Sequence, residues 1–218
     1  LFFLAVTLIS FAGFYTTYLS KFPRFSEFQN LIHIHFIAFS CWLILIILQP
    51  ILIMKKKFKL HRTLGKFTYF LAPILVITII LLSKEQFLRL IKVDEISAQM
   101  TLFIALLDIL SFSTFYLIAM IKAKNTRWHV AFIIGATLII LNPGMSRLLN
   151  YFSPGLGMLA AILMPFIVSI SIFIIEKIKY KRNILRSPYF LIFVIWTVEI
   201  SSFMIIPQTD FWKNVTSA

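Results

Sequence analysis

LIHIHFIAFSCWLILIILQPILIMKKKFKLHRTLGKFTY, residues Leu31 to Tyr69, decides how the whole chain is read. Its apolar run, Leu31–Met54, is long enough to cross a bilayer, because about 20 helical residues at 1.5 Å each cover a ~30 Å hydrocarbon core. The run opens on His33 and His35. It passes Gln49-Pro50 and ends in a cluster of lysines followed by His61. Polar groups beside that much hydrocarbon need a physical reason to be there.

Six further apolar runs flank this one: Phe2–Leu19, Leu64–Leu82, Ala98–Ile121, Trp128–Tyr151, Met158–Ile175 and Tyr189–Ile206. Nothing alternates with period two over the length of a barrel strand. Helices are then the remaining way to satisfy the backbone inside lipid. The sequence therefore predicts an all-α polytopic membrane protein, a single bundle of seven transmembrane helices over residues 1–218. Composition agrees. The chain is 60% hydrophobic and 13% charged, with mean hydropathy +0.94, which leaves too little polar surface for a soluble domain. Leu1–Leu19 has no basic start and no small-x-small cleavage site, so it reads as a retained span rather than a signal peptide.

The net charge of +13 is distributed in short clusters between the runs. Lys55, Lys56, Lys57, Lys59, Arg62 and Lys66 follow the second run. Lys122, Lys124 and Arg127 follow the fourth, and Lys177, Lys179, Lys181, Arg182 and Arg186 the sixth. Alternate loops carry fewer basic residues, diluted by Glu27, Glu85, Asp94 and Glu95. The positive-inside rule predicts an inner N-terminus and an outer C-terminus. The clusters suit anionic lipid headgroups, and their shortness excludes a nucleic-acid face. Phe87, Leu90 and Ile91 share one side of the outer segment Ser83–Ser97, which is expected to hold a short interfacial helix. The single cysteine, Cys41, cannot form an internal disulfide and reads as a small buried hydrophobe.

Ionisable and amide groups within the runs are the candidate functional residues. His35, Trp42 and Gln49 are spaced by sevens and share a face. Asp108 lies near the middle of the fourth run, with Ser111 one turn on. Asn142, Ser146 and Asn150 form a stripe on the fifth, beside Arg147 and Pro143, whose ring crowds the Ile139 carbonyl. Glu199 lies midway along the seventh and, with Asp108, is a possible partner for Arg147. Together His35, Gln49, Asp108, Asn142, Arg147 and Glu199 predict an outward-facing polar cavity for a small polar ligand, ion or proton, in a transporter, channel or sensor. The competing reading gives these groups to helix packing alone, in a non-catalytic membrane subunit. A third makes the chain a redox protein, with a metal at His33 and His35 or a haem between His61 and His129, which share a depth on different helices. Small residues, Ser10, Gly13 and Thr17 on the first helix and Gly157, Ala160, Ala161 and Pro165 on the sixth, read as close-packing stripes. No HExxH, GxSxG or P-loop pattern is present, and no enzyme constellation is expected.

Gln49–Leu52, His61-Arg62-Thr63-Leu64-Gly65, Arg127-Trp128-His129, and Pro143 with Arg147 together carry a resemblance. The chain resembles a group of predicted bacterial inner-membrane proteins, classed as a domain of unknown function, that have a histidine-bearing helix, Gln-x-x-Leu and His-Arg-x-Leu-Gly. The resemblance covers roughly Phe11 to Leu149. Where that group often reads His-Lys-Arg, this chain has His129-Val130-Ala131. The resemblance implies a bacterial inner membrane and no particular activity.

Overall fold

Each of the seven apolar runs is helical in the computed structural model, which describes residues 1–25 and 28–217. The helices are α1 (Phe2–Thr17), α2 (Asn30–Met54), α3 (Phe58–Leu90), α4 (Glu95–Ile121), α5 (Thr126–Phe152), α6 (Leu156–Tyr180), α7 (Pro188–Ile205) and α8 (Asp210–Ser217). Among the described residues there is no strand. Helices α2 to α7 are long and apolar enough to cross a membrane, whereas α1 has 16 residues. Their outward faces are apolar: Ile37 is 62% exposed, Phe70 72% and Leu110 61%. A face of that kind belongs in lipid, because water would penalise it at ~25 cal/mol per Å². The protein is an all-α, multi-pass membrane protein.

Local chemistry sets the helix ends. Asp94 accepts from Ser97 N–H at the start of α4, and Asn125 from Trp128 N–H at the start of α5. Ser187 does the same for Tyr189 N–H, with Pro188 at the first position of α7, where its missing donor costs nothing. Gly155 takes a φ of 88° in the turn between α5 and α6, a conformation that suits a residue with no Cβ.

Two stretches fold differently from the sequence reading. No separate interfacial helix forms in Ser83–Ser97; Phe87 and Leu90 instead belong to the last turns of a 33-residue α3. Lys84, Glu85, Gln86 and Arg89 are good helix formers and no Gly or Pro interrupts them, so the helix simply continues. At its other end, α3 begins at Phe58, ahead of the apolar run Leu64–Leu82, so Lys59 also lies on helix rather than in a loop. The short helix α8 was not foreseen. It is held by Trp212, whose indole N–H donates to the Gln99 carbonyl at 3.3 Å and whose ring packs edge-on against Phe103.

Helix α5 is the centre of the bundle and packs on α1, α4, α6 and α7. It can do so because it presents small residues. Ala131, Gly135, Ala136 and Gly144 are all buried. Gly13 of α1 meets Gly144 so closely that a methyl on Gly13 would coincide with the Gly144 carbonyl, while a methyl on Gly144 would lie 2.8 Å from Ser10 Cα. The small stripe on α1 is thus a backbone-to-backbone crossing, the kind of approach that replaces hydrophobic drive between helices in lipid. Gly157 of α6 is packed equally tightly, with Asn150 Oδ1 accepting from its N–H at 2.8 Å and Ser146 Oγ donating to its carbonyl at 3.0 Å.

Two polar clasps complete the frame. Between α2 and α3 the chain reverses through Lys56 at a φ of 56°. Across this turn the Gln49 amide takes the Gly65 N–H on its oxygen at 3.0 Å and donates from its nitrogen to the His61 carbonyl at 3.2 Å and to His61 Nδ1. The second clasp is Glu176, among the described residues the one carboxylate at the basic end of the bundle. Arg127 donates to it through Nε at 2.7 Å and Nη2 at 2.6 Å, Arg182 through Nη1 at 3.2 Å and Ser187 through Oγ at 2.6 Å. It ties the start of α5, the end of α6 and the start of α7 into one knot.

Candidate functional site

A cavity of about 520 Å³ lies at the end of the bundle opposite the basic clusters. Helices α4, α5, α6 and α7 wall it, and Gln86 near the end of α3 reaches its rim. Each wall supplies its residues for a local reason. On α4, Asp108 faces inward and the buried Ser111 sits one turn further, its hydroxyl donating to the Leu107 carbonyl at 2.7 Å. The α5 side brings Asn142, Pro143, Ser146, Arg147 and Asn150, residues on one face by the 3.6-residue turn. Glu199, Trp196 and Phe203 come from α7, and the apolar Met158, Ala161 and Ile162 from α6.

Four of the six residues expected to line one cavity therefore meet: Asp108, Asn142, Arg147 and Glu199. The Asn142 amide lies beside the Asp108 carboxyl, and the Ser111 hydroxyl beside Glu199. Asn142 is 6% exposed, and its Oδ1 has no donor in the protein; Glu199 Oε2 is likewise enclosed without one. Arg147 makes no ion pair with Asp108 or Glu199. Its guanidinium lies 4.6 Å over the Phe14 ring and donates to the Pro143 carbonyl at 3.3 Å. The site has separated charges, with a guanidinium on α5 and two carboxyls on α4 and α7.

His35 and Gln49 do not line this cavity. The face they share with Trp42 looks into the groove between α3 and α4. His35 Nδ1 bonds Thr78 Oγ1 at 2.8 Å, and since that hydroxyl already donates to Ile74 O at 2.7 Å, the imidazole N–H is the donor. Trp42, 2% exposed, packs edge-on against Phe112 and Tyr116. Gln49 is consumed by the α2–α3 clasp. His35 still lies within electrostatic reach of Arg147.

The two redox arrangements fare differently from the cavity. His33 Nδ1 bonds Tyr18 Oη at 2.6 Å inside an aromatic cluster with Phe25, Phe28 and Phe36, while His35 turns to Thr78. The two rings are held by different helices and do not converge on one metal. Among the described residues no three His, Cys, Asp or Glu side chains do. His61 and His129 interact electrostatically across α3 and α5, but their hydrogen bonds assign opposite tautomers. His129 Nδ1 faces the Ala119 carbonyl at 2.8 Å and must carry a proton to bond it. His61 Nδ1 accepts from Gln49, so its proton sits on Nε2. One Nε2 is an acceptor and the other a donor, whereas two axial ligands of one iron both need a free Nε2 lone pair. The residues do not fit a bis-histidine haem.

Sequence reasoning missed Glu176, Ser187 and the second role of Arg127. The signal was present: a single acidic residue amid 14 basic ones at that end of the bundle. No protein-family model matches the chain, and neither a curated protein nor a solved structure matches it.

Proposed function

We propose that this chain is a seven-span protein of a bacterial inner membrane whose cavity opens to the outer face and binds a small polar solute or ion, as a transporter, channel or sensor. The observation that carries the reading is the meeting of Asp108, Asn142, Arg147 and Glu199, from three helices, on one cavity of about 520 Å³. Ionisable groups at membrane depth are expensive, and side chains that serve packing alone are expected to satisfy one another. Ser146 and Asn150 do that with Gly157. Asn142 Oδ1 and Glu199 Oε2 do not, and of the six enclosed unpartnered side-chain atoms among the described residues these two belong to the cavity wall. Supporting the orientation is the concentration of lysine and arginine at the opposite end, which positive-inside asymmetry assigns to the cytoplasm. The resemblance carried by Gln49–Leu52 and His61–Gly65 supports the bacterial inner membrane.

Thiol accessibility tests the reading. In a Cys41→Ala background, Thr101→Cys on the cavity wall is expected to react from the outer side with a membrane-impermeant maleimide in intact cells. Leu163→Cys, on the exposed face of α6, is expected to stay unlabelled in lipid. Labelling of Thr101→Cys only after the inner face is opened would reverse the orientation, and no labelling from either side would remove the cavity.

A further inference from the structure

Around Asp108 the supply of hydrogen-bond donors and acceptors does not balance. Asn142 Oδ1 and Glu199 Oε2 are enclosed without a donor, and an enclosed acceptor left unmatched is costly. No donor of the wall reaches either oxygen, and several of the nearest are committed elsewhere. Ser111 Oγ donates to Leu107 O, Ser146 Oγ to Gly157 O, Trp196 Nε1 to Ile162 O, and Arg147 Nη1 to Pro143 O. What the cluster lacks is positive charge, and what it offers is oxygen only: two carboxyls and a primary-amide oxygen that is 94% buried with its residue. Hard cations take ligands of that kind, while a transition metal favours nitrogen and sulfur.

Charge counting fixes the valence. The titratable and charged groups around the site are Asp108 on α4, Glu199 on α7, Arg147 on α5 and, behind Arg147, His35 on α2. Helix α6 contributes only Met158, Ala161 and Ile162 to the wall, α3 contributes Gln86, and α1 meets Arg147 through Phe14. With His35 neutral, Arg147 and two carboxylates sum to one negative charge. Net charge at this depth is strongly disfavoured. One monovalent cation brings the site to zero, and so does one proton on either carboxyl. A divalent ion overshoots.

We infer that Asp108, Asn142 and Glu199 form a binding site for one alkali-metal cation, which enters by displacing one proton from the carboxyl pair. The inference rests on the cavity reading and names its occupant. The exchange balances: a carboxylic acid and M⁺ become a carboxylate–M⁺ pair and H⁺, with no redox partner. Arg147, off the carboxyls and at the cavity wall, keeps the sum at zero in both states.

Proton release from the detergent-purified protein in weak buffer with a pH-indicating dye tests it. Sodium or potassium chloride is added against choline chloride at equal ionic strength, and bound sodium is counted by equilibrium dialysis with the radioactive ion. The expected result is about one proton released per cation bound, with Asp108→Asn and Glu199→Gln each weakening binding at least tenfold and abolishing release. Variants are read only when they elute as the wild-type monodisperse peak; the wild-type stoichiometry stands without them. No cation binding by the wild-type protein, binding without proton release, or release that persists in both variants overturns the inference. If Thr101→Cys labels from water while no cation binds, the cation site falls and the cavity stands. If it does not label, both fall.

Discussion

Arg127 and Glu176 meet as a two-pronged pair, Nε to Oε1 at 2.7 Å and Nη2 to Oε2 at 2.6 Å, with the glutamate side chain 9% exposed and the arginine 29%. Planar guanidinium matches planar carboxylate here, and Ser187 fills another acceptor position on Oε2 at 2.6 Å. Glu176→Gln leaves Arg127 and Arg182 without their counter-charge. It is expected to lower stability by about 2–3 kcal/mol, somewhat under the ~3–5 of a fully buried pair. Arg127→Lys keeps the charge and loses the fork, so it should also be destabilising. Thermal unfolding in detergent checks both, and a Glu176→Gln protein as stable as wild type would remove the knot from the account.

The crossing of α1 on α5 makes a paired prediction. Gly13→Ala drives a methyl into the Gly144 backbone, whereas Gly65→Ala meets nothing nearer than the Gln49 amide at 3.8 Å. Overpacking typically costs about 1–3 kcal/mol, and backbone cannot move aside as a side chain can. Gly13→Ala should lower the melting temperature clearly and Gly65→Ala hardly at all. Equal effects would show that helix propensity, not the close approach, governs these sites.

Gln49 holds the α2–α3 turn through three hydrogen bonds to α3. Gln49→Leu should cost about 1–3 kcal/mol, because it strands a His61 ring nitrogen in a half-buried place. Freed of Gln49, the His61 imidazole can exchange tautomers. Nitrogen NMR of labelled histidine should then report a mixture at His61 where the wild type shows only the Nε2–H form.

The opposite tautomers of His61 and His129 lead to an optical expectation. Detergent-purified protein, oxidised or dithionite-reduced, should show no Soret band. A band that shifts on reduction and disappears in His129→Ala would mean that the Gln49–His61 hydrogen bond is broken in the membrane.

Asp94 supplies a pH test. Its carboxylate accepts from Ser97 N–H at 3.1 Å and from Ser97 Oγ at 2.6 Å, which holds its pKa below the ordinary 3.8. The sign follows from a depressed folded-state pKa. The contribution is present above the unfolded value and fades as pH falls through the folded one. The gap in melting temperature between wild type and Asp94→Ala should therefore be full at neutral pH and close as pH falls below the ordinary carboxylate range. A gap that stays constant with pH would mean the cap is not ionic.

The fold was legible because lipid imposes one rule on every span, and the apolar runs obey it. The ends were less so. Between Leu82 and Leu90 the hydropathy falls while helix propensity does not, and hydropathy sees only the first. Within the site, Asp108, Asn142, Arg147 and Glu199 were recognisable as costly groups in the middle or outer half of their runs. His35 and Gln49 carried the same cost and the same seven-residue spacing. Which way their face turned depended on α3 and α4 packing against α2, a relationship between distant parts of the chain that periodicity does not encode. The pattern Gln-x-x-Leu with His-Arg-x-Leu-Gly carried a resemblance and no activity, and in this bundle Gln49, His61 and Gly65 fasten a hairpin.

The crossing at Gly13 and Gly144 also sets an order of events in biogenesis. Helix α1 is made before α5, yet the surface it fits lies 131 positions later in the chain, and α5, not the neighbouring α2, is its main partner. At ordinary synthesis rates α1 waits on the order of ten seconds before α5 exists. During that interval Ser10 and Gly13 face lipid or the insertion machinery, and only the apolar remainder of α1 keeps it in the membrane. A polar substitution on its outward side, at Leu4 or Leu8, would then act on the half-made protein. It would lower the yield of inserted chains while leaving the finished bundle as stable as before.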